Sequence, residues 1–175
     1  MKKTLLSLAI ASLAAGQSVC AAVEKVYNEP DSVYIFSYAH PEDEGRSGLK
    51  FAWSPDGDKW LSVSDGFAYL KCDFGRWGSE KRMIKPLLEK AEDGRWYCRW
   101  QLTPSGKVWG TSHSSDLLKW APQQYVNAEK PAVPRLVTAR QIVLDKDTLN
   151  GYMQKVPYVD IEQLIRFAEH KKFRD

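Results

Sequence analysis

Short runs rich in β-branched and aromatic residues occur between residues 31 and 123, and such runs predict β-strands. They are residues 33–38, 48–54, 95–102 and 107–114, of which residues 48–54 alternate between apolar and polar side chains as a half-buried strand does. The stretches between them are polar and contain glycine or proline, as at residues 55–57 and 103–106, and such stretches predict turns. The pattern therefore predicts a mainly β protein.

The pattern changes after residue 127. Two prolines in residues 128–134 (AEKPAVP) discourage helix, and this stretch is predicted to be a linker. Residues 135–144 are compatible with a short strand, and the polar residues 145–150 with a turn. Residues 158–173 place apolar side chains at mostly helical spacing, so a C-terminal α-helix is predicted there.

The sequence also repeats itself, over units at about residues 31–63 and 83–123. The shared positions are Ser54, Asp56, Lys59 and Trp60 in the first unit and Ser114, Asp116, Lys119 and Trp120 in the second, at an offset of 60 residues. The preceding aromatic strands match at an offset of about 62. Strand-turn-strand units that repeat at this length are typical of β-propeller blades, which cannot bury both faces without neighbours.

The predicted fold is therefore a partial β-propeller of two antiparallel blades in residues 23–127. The linker, short strand and helix occupy residues 128–175. We interpret Trp60 and Trp120 as blade-core residues, because they recur at the same place in both units.

The first 22 residues have the layout of a secretory signal peptide. Two lysines precede an uncharged apolar run at residues 4–16, and small residues around position 22 suit cleavage. A run of 13 residues is too short to span a bilayer, which takes about 20, so no transmembrane segment is expected. Gln17 and Val19 do not fit a lipoprotein signal at Cys20, and we expect a periplasmic or secreted protein without lipidation at Cys20.

The net charge and the cysteine pattern argue against two classes of protein, namely nucleic-acid-binding proteins and zinc proteins. Loss of Lys2 and Lys3 with the signal lowers the formal net charge from +3 to about +1, which gives no electrostatic reason to expect nucleic-acid binding. Cys72 and Cys98 would remain, either as a disulfide or as buried free thiols. No cysteine or histidine pattern has zinc spacing, and neither a metal nor a cofactor is expected.

Candidate binding residues are concentrated between the two units. Residues 73–82 are rich in glycine and combine carboxylates, guanidinium groups and an indole, namely Asp73, Arg76, Trp77, Glu80 and Arg82. Sugars are bound by such mixtures, through stacking on an aromatic ring and polar contacts to hydroxyls. The alternative is a structural ion-pair network with Trp77 packed between blades.

Two further positions have two interpretations each. His113 either lines a central funnel as a substrate-binding residue or is a hydrogen-bonded or exposed residue at a strand end. The acidic residues 42–44 form either a solvated hairpin tip or a cation site.

Residues 34–38 (YIFSY), residues 48–57 (GLKFAWSPDG) and Trp60 resemble the blade pattern of glycoside hydrolase family 43. Residues 73–83 are similar to segments of family 43-like modules attached to Bacteroidetes α-L-arabinofuranosidases. Residues 151–157 and the helix after them resemble the segment that comes after the partial propeller in those proteins. The resemblance covers about residues 33–173.

The resemblance implies a five-bladed propeller and an inverting glycosidase mechanism with an Asp base, a Glu acid and a second Asp. The two Asp residues of the family usually stand in Asp-Pro motifs that open blades. Here Glu29 precedes Pro30 and Lys85 precedes Pro86, and the third blade, which carries the acid, is absent. Neither catalytic Asp of the family therefore has a counterpart at these two positions. The remaining candidates for catalysis are Glu80 and Asp73.

These features support three hypotheses of function. The first is an exported carbohydrate-associated module that binds, or supports the hydrolysis of, arabinose- or xylose-containing plant polysaccharides or oligosaccharides. The second is an active α-L-arabinofuranosidase-like glycosidase completed by further blades, through self-association or a larger glycosidase. The third is a protein-interaction propeller fragment without a role in sugar binding.

Overall fold

The computed structural model describes residues 29–63, 66–77 and 80–172, and it is mainly β. The signal peptide predicted for residues 1–22 lies outside the described residues. The strands are β1 (Ser32–Tyr38), β2 (Lys50–Ser54), β3 (Leu61–Ser62), β4 (Ile84–Lys90), β5 (Trp96–Gln101), β6 (Val108–Ser114), β7 (Gln124–Asn127), β8 (Val137–Leu144) and β9 (Asp147–Pro157). A 3-10 turn (Tyr158–Asp160) leads into helix α1 (Glu162–Lys172), where a C-terminal helix is predicted.

The first sheet has five antiparallel strands in the order β3-β2-β1-β9-β8. Strand β1 lies at its centre and pairs with β9 from Ser32↔Pro157 to Tyr38↔Gly151. Its two faces pack into two different hydrophobic clusters, Ile35 into one and Phe36 into the other. Burial on both faces explains why residues 33–38 are an almost continuous apolar run.

The pairing of β1 with β9 joins distant parts of the chain. Strand β9 lies in residues 128–175, which were predicted to form a linker, a short strand and a helix. Strand β1 lies in residues 23–127, which were predicted to form the two blades. The turn predicted at residues 145–150 is shorter in the structure, because β9 already begins at Asp147. The hairpin needs only Asp145 and Lys146, whose φ angles of 50° and 82° match the left-handed pair of a tight two-residue turn.

The second sheet is an antiparallel meander in the order β4-β5-β6-β7. Strand β4 is an edge strand, and the irregularity in its pairing with β5 falls between Ile84 and Leu87. Pro86 lies in this interval. Proline has no N–H to donate, so an edge strand with a bulge is the position in a sheet that tolerates it.

The two sheets meet where β4 lies against β1 and β9. The Ser37 hydroxyl donates to the Pro86 carbonyl at 3.0 Å, and the Gln154 amide donates to the Leu88 carbonyl at 3.1 Å. Both hydrogen bonds are buried. The larger hydrophobic cluster joins side chains of both sheets with apolar residues of the C-terminal segment, such as Ile161 and Leu164.

The sequence repeat corresponds to a repeated turn. In the first unit the Gly57 N–H donates to the Ser54 hydroxyl at 2.8 Å, and the N–H groups of Asp58 and Lys59 donate to the Asp56 carboxylate, each at 2.9 Å. The Asp56 carboxylate is therefore an internal cap of the turn.

The second unit reproduces this geometry. Leu117 N–H donates to Ser114 at 2.9 Å, and Lys119 N–H donates to the Asp116 carboxylate at 2.8 Å. Leu117 has a φ of 64° where the first unit has a glycine. Complete burial of the Leu117 side chain in the core offsets the left-handed conformation.

The recurring tryptophans and the two cysteines have defined surroundings. Trp60 and Trp120 are partly buried, and each packs against a hydrophobic cluster. Cys72 and Cys98 are both buried free thiols. Burial raises the pKa of the Cys98 thiol far above its usual range, which is the condition of an unreactive core cysteine.

No helix in residues 29–63, 66–77 and 80–172 has the length and apolar character needed to cross a bilayer.

Because Asp56 caps the first turn as a carboxylate, we expect the folded chain to lose stability at acid pH. Hydrogen bonds from the Lys59 and Asp58 N–H groups and from Ser54 lower the pKa of Asp56 from 3.8 to about 2. A carboxylate with a lower pKa in the folded chain stabilises it above the unfolded pKa, and this contribution is lost as the pH falls from about 4 to about 2. Asp56→Asn should lower the free energy of urea unfolding at pH 7 and weaken its decline between pH 5 and pH 2.

The matched control for this measurement is Asp58→Asn, in the same turn. The exposed Asp58 carboxylate approaches Arg140 at 3.9 Å. This variant should keep the acid-dependent decline of the wild type. An undiminished decline in Asp56→Asn would contradict the role of the cap.

Candidate functional site

A cleft opens where the end of β1 and the beginnings of β4 and β9 come together. It consists of two adjoining cavities of about 650 Å³ and about 310 Å³. Lys85 and Asn150 line both cavities, so the two lie side by side. We call them the larger and smaller cavities of the intersheet cleft. Concave sites of this size are the usual locations of small ligands.

The larger cavity combines one aromatic ring with amides and cations. Its lining residues are Lys85, Lys130, Ala139, Arg140, Gln141, Asn150, Gly151 and Tyr152. Most come from the β8–β9 hairpin, in which Gln141 is paired with Asn150 and Ala139 with Tyr152. The Gln141 amide donates to the Asn150 side-chain oxygen at 3.2 Å, which orients both amides.

Tyr152 is held by its position on β9. Residues 152, 154 and 156 share one face of this strand because side chains alternate, and this face points to the second sheet through Gln154 and Val156. Partial burial of Tyr152 raises the pKa of its phenol. The phenol is therefore neutral at physiological pH, and it can donate and accept hydrogen bonds.

The smaller cavity is bordered by the loop after β1. Glu44 there forms ion pairs with Arg46 at 2.9 Å and with Arg82 at 3.0 Å. Asp43 accepts hydrogen bonds from the N–H groups of Gly45 and Ser47 at 2.9 and 2.8 Å. These contacts fix the acidic loop internally. Residues 29–63, 66–77 and 80–172 contain no group of three metal-ligating side chains placed to hold an ion.

Lys85 connects the two cavities and has an unusual backbone. Its φ is 50°, in the left-handed region that residues other than glycine rarely adopt. It also directly precedes Pro86, at the irregularity in the β4–β5 pairing. Backbone strain of this kind persists only where the surroundings impose it, and it concentrates at functional sites. The exposed Lys85 side chain is thereby presented to the cleft.

The structure places Asp73, from the predicted binding segment, next to strand β7. The Tyr125 hydroxyl donates to the Asp73 carboxylate at 2.6 Å, and the Asp73 N–H donates to the Gln123 side-chain oxygen at 3.1 Å. Burial, together with the hydrogen bond to Asp73, raises the pKa of Tyr125. The Asp73 carboxylate thus joins the segment to the outer strand of the second sheet.

Glu80 closes the loop formed by the preceding residues. Its carboxylate accepts hydrogen bonds from the Arg76 N–H at 2.9 Å and the Trp77 N–H at 3.1 Å. The Trp77 side chain is 71% exposed, so most of the indole is accessible to solvent. The loop therefore uses Glu80 as an internal cap and presents Trp77 outwards.

The remaining predicted site residues lie in two different places. Arg82 lines the smaller cavity and pairs with Glu44. His113 is in β6, where its ring lies 5.6 Å from that of Tyr97. The structure thus brings Arg76, Trp77 and Glu80 together in one loop and places Arg82 in the cleft. Asp73 lies against Gln123 and Tyr125, and His113 lies against Tyr97.

Sequence reasoning did not identify the β8–β9 side of the cleft. Arg140, Gln141, Asn150 and Tyr152 occur in segments that were predicted as a short strand, a turn and a family-like tail. The available signal was the alternation of Asn150 and Tyr152 with apolar residues, which places both on one face of a strand. The sequence showed Lys85 as the residue that replaces the Asp of the family's Asp-Pro motif, and it did not show Lys85 as part of a cleft.

The cleft is equipped for binding polar ligands. Its amides, cations and phenol provide donors and acceptors around a ring, whereas Glu44 is the one carboxylate among its lining residues. Comparison with models of protein families, with curated proteins and with solved structures yields no match.

The strained backbone of Lys85 can be tested directly. Lys85→Ile should lower the free energy of unfolding by at least about 1 kcal/mol relative to Lys85→Gln, because a β-branched side chain is poorly tolerated at positive φ. Both variants remove the charge, so the difference between them reports the backbone conformation. Equal stability in urea unfolding would show that residue 85 does not hold the left-handed conformation.

Proposed function

We propose that this chain is an exported carbohydrate-binding module, which binds arabinose- or xylose-containing plant glycans in the intersheet cleft and does not cleave them. The observation that carries the proposal is the combination of Tyr152 with Gln141 and Asn150, which share one face of the β8–β9 hairpin, in one cavity of about 650 Å³. A pyranose or furanose ring offers an apolar face and several hydroxyls. An aromatic ring beside two amides matches both.

The geometry of the amides supports this choice of ligand. The hydrogen bond between Gln141 and Asn150 leaves each amide with further donor or acceptor capacity, since an amide side chain offers two donors and an acceptor oxygen. Neighbouring hydroxyls of a sugar require such mixed partners. Both residues are exposed on β8 and β9, so a ligand reaches them without any rearrangement of the core.

Binding is favoured over hydrolysis by the distribution of carboxylates. An inverting glycosidase needs two carboxyl groups about 6.5–9.5 Å apart on either side of the scissile bond. Glu44 alone provides a carboxylate among the lining residues of the cleft, and it is paired with Arg46 and Arg82. The other candidates, Asp73 and Glu80, are engaged in hydrogen bonds within the 73–80 segment and to β7.

We further infer that the two sheets are blades of a β-propeller related to glycoside hydrolase family 43. The four-stranded meander β4-β5-β6-β7 has the strand number and order of a blade, and both sheets carry the same serine- and aspartate-capped turn. A closed propeller has at least four blades. The proposal therefore includes assembly with further blades, from a second copy of the chain or from a larger glycosidase.

Export is part of the proposal, because a protein encounters plant glycans outside the cytoplasm. It depends on the basic start and the apolar run of residues 1–22. The near-neutral charge of the remaining chain is compatible with a glycan ligand.

Calorimetric titration of the purified exported protein with arabinan, arabinoxylan and xylan oligosaccharides tests the proposed function. Tyr152→Ala should abolish measurable binding, because it removes the one aromatic ring from the larger cavity. Trp77→Ala is the matched control, since it removes an exposed aromatic ring from the 73–82 segment. It should leave the affinity unchanged.

Other outcomes have definite meanings. Loss of binding in Trp77→Ala alone would move the site to the 73–82 segment. Failure of the wild type to bind any of these glycans would contradict the proposed ligand. Release of reducing sugar from an aryl arabinofuranoside or from the oligosaccharides would contradict the absence of catalysis.

A further inference from the structure

A further cavity, of about 190 Å³, lies at the tip of the β8–β9 hairpin, and we call it the hairpin pocket. Its lining residues are Tyr38, His40, Lys50, Ser62, Gly66, Leu144, Asp145, Asp147 and Leu149. The pocket lies on the other face of the first sheet from the larger cavity of the cleft. Tyr38 is the cross-strand partner of Gly151, and Tyr152 is the next residue of β9, so the two tyrosines point to opposite faces.

The strand register brings oppositely charged residues of the hairpin pocket to one face. Lys50 is paired with Tyr38 between β2 and β1, so both side chains share that face. Asp147 precedes Gly151, the partner of Tyr38, by an even number of residues on β9 and therefore points the same way. The His40 ring lies 5.8 Å from the Tyr38 ring. A cation and a carboxylate thus border one concavity beside a phenol and an imidazole.

Lys50 is a buried cation without a counterion. The residue is only 8% exposed, and in the described part of the chain no carboxylate lies within 4 Å of its ammonium group. Among the described residues, the enclosed side-chain atoms that lack a hydrogen-bond partner are Ser47 Oγ and Trp100 Nε1. The Lys50 Nζ is not one of them and remains accessible from the pocket. A cation that has lost most of its water gains strongly from a bound anion.

The carboxylates of Asp145 and Asp147 lie at the rim of the pocket, because both residues are exposed. Within residues 29–63, 66–77 and 80–172, neither carboxylate has a cationic nitrogen within 4 Å. Burial raises the pKa of Tyr38 to about 12, and the negative charges of Asp145 and Asp147 act in the same direction. Both carboxylates are therefore close enough to interact with the phenol, which stays neutral at physiological pH.

Opposite charges that border one pocket without contacting each other favour a ligand that carries both charges. A simple anion would be attracted by Lys50 and repelled by the two carboxylates, and a simple cation would meet the reverse. The buried side chains of Leu144 and Leu149 add an apolar wall. The volume corresponds to roughly six water molecules at about 30 Å³ each, so the ligand is small.

We propose that the hairpin pocket binds a small neutral α-amino acid, with its carboxylate at Lys50 and its ammonium group at Asp147 and Asp145. The Tyr38 hydroxyl provides a further donor for the carboxylate, and the leucine wall contacts the amino-acid side chain. The inference goes beyond the proposed function, because the hairpin pocket and the larger cavity lie on opposite faces of the first sheet. His40 lines both the pocket and the smaller cavity of the cleft.

A metal cation is the less suitable occupant. Asp145, Asp147 and His40 are residue types that ligate metals, yet the described residues contain no group of three such side chains placed to hold an ion. The Lys50 ammonium group in the same pocket would also repel a cation.

Calorimetric titration with L-alanine, L-lactate and L-alaninamide tests the inference. L-Lactate has a hydroxyl group in place of the ammonium group, and L-alaninamide has an amide in place of the carboxylate. L-Alanine should bind at least about tenfold more tightly than either analogue, because hydrogen bonds to charged groups are the stronger ones. L-Serine and L-valine extend the titration to other small side chains.

Single variants assign the two charges of the ligand to residues. Asp147→Asn should weaken the binding of L-alanine at least about fivefold and leave that of L-lactate nearly unchanged. Lys50→Met should abolish measurable binding of L-alanine. Glu129→Gln is the matched control, because Glu129 is exposed and does not line the pocket, and it should behave like the wild type.

Thermal unfolding of each variant is recorded alongside the titrations. Lys50 is buried, so a loss of fold in Lys50→Met must be told apart from a loss of recognition. Asp147 is exposed, and its variant keeps the inference testable if Lys50→Met does not fold.

The possible results separate this inference from the proposed function. Equal affinity for L-alanine and either analogue would overturn the recognition of both charges. Tighter binding of dialanine, in which a peptide unit separates the charges, would overturn the free amino acid as the ligand. Binding of calcium or magnesium chloride that is lost in Asp147→Asn would overturn the choice of an amino acid over a metal. Failure to bind L-alanine, L-serine and L-valine would overturn the inference and leave glycan binding in the cleft intact.

Discussion

Two buried hydrogen bonds hold the sheets of this protein together. Strand β4 is the edge of its own sheet, so the carbonyls of Pro86 and Leu88 have no partner strand on the outer side. Ser37 and Gln154 donate to them from the other sheet. A carbonyl left unpaired in this interior would cost about 1–3 kcal/mol. The need to satisfy both groups fixes how β4 lies against β1 and β9, and the apolar core alone does not impose so specific an arrangement.

The cleft is a direct consequence of this junction. Lys85 immediately precedes Pro86, and Tyr152 lies two residues before Gln154 on the same face of β9. The residues that join the sheets therefore also set the distance and orientation of the residues that line the larger cavity. Binding residues on strands are held more rigidly than residues on loops. The proposed glycan site thus depends on the sheet junction, whereas Trp77 occupies an exposed loop capped by Glu80.

Local features of the fold could be predicted from the sequence, and distant pairings could not. The capped turns at Asp56 and Asp116 were visible because the residues that form them recur in order. The pairing of β1 with β9 joins segments more than 110 residues apart and leaves no local pattern. Most of the cleft was missed for the same reason, since its residues come from separate parts of the chain. Arg82 was predicted as a site residue because its segment is rich in charge, which is a local property.

Side chains of the first sheet donate the hydrogen bonds that the edge strand of the second sheet needs. The most direct test is the free energy of urea unfolding of Gln154→Met and Ser37→Ala, with the exposed helix residue changed in Gln163→Met as the control. Each of the first two variants should lose about 1–3 kcal/mol, because a buried carbonyl loses its donor. The control should remain within about 0.5 kcal/mol of the wild type. Wild-type stability in both Gln154→Met and Ser37→Ala would contradict this account of the sheet junction and of the cleft built on it.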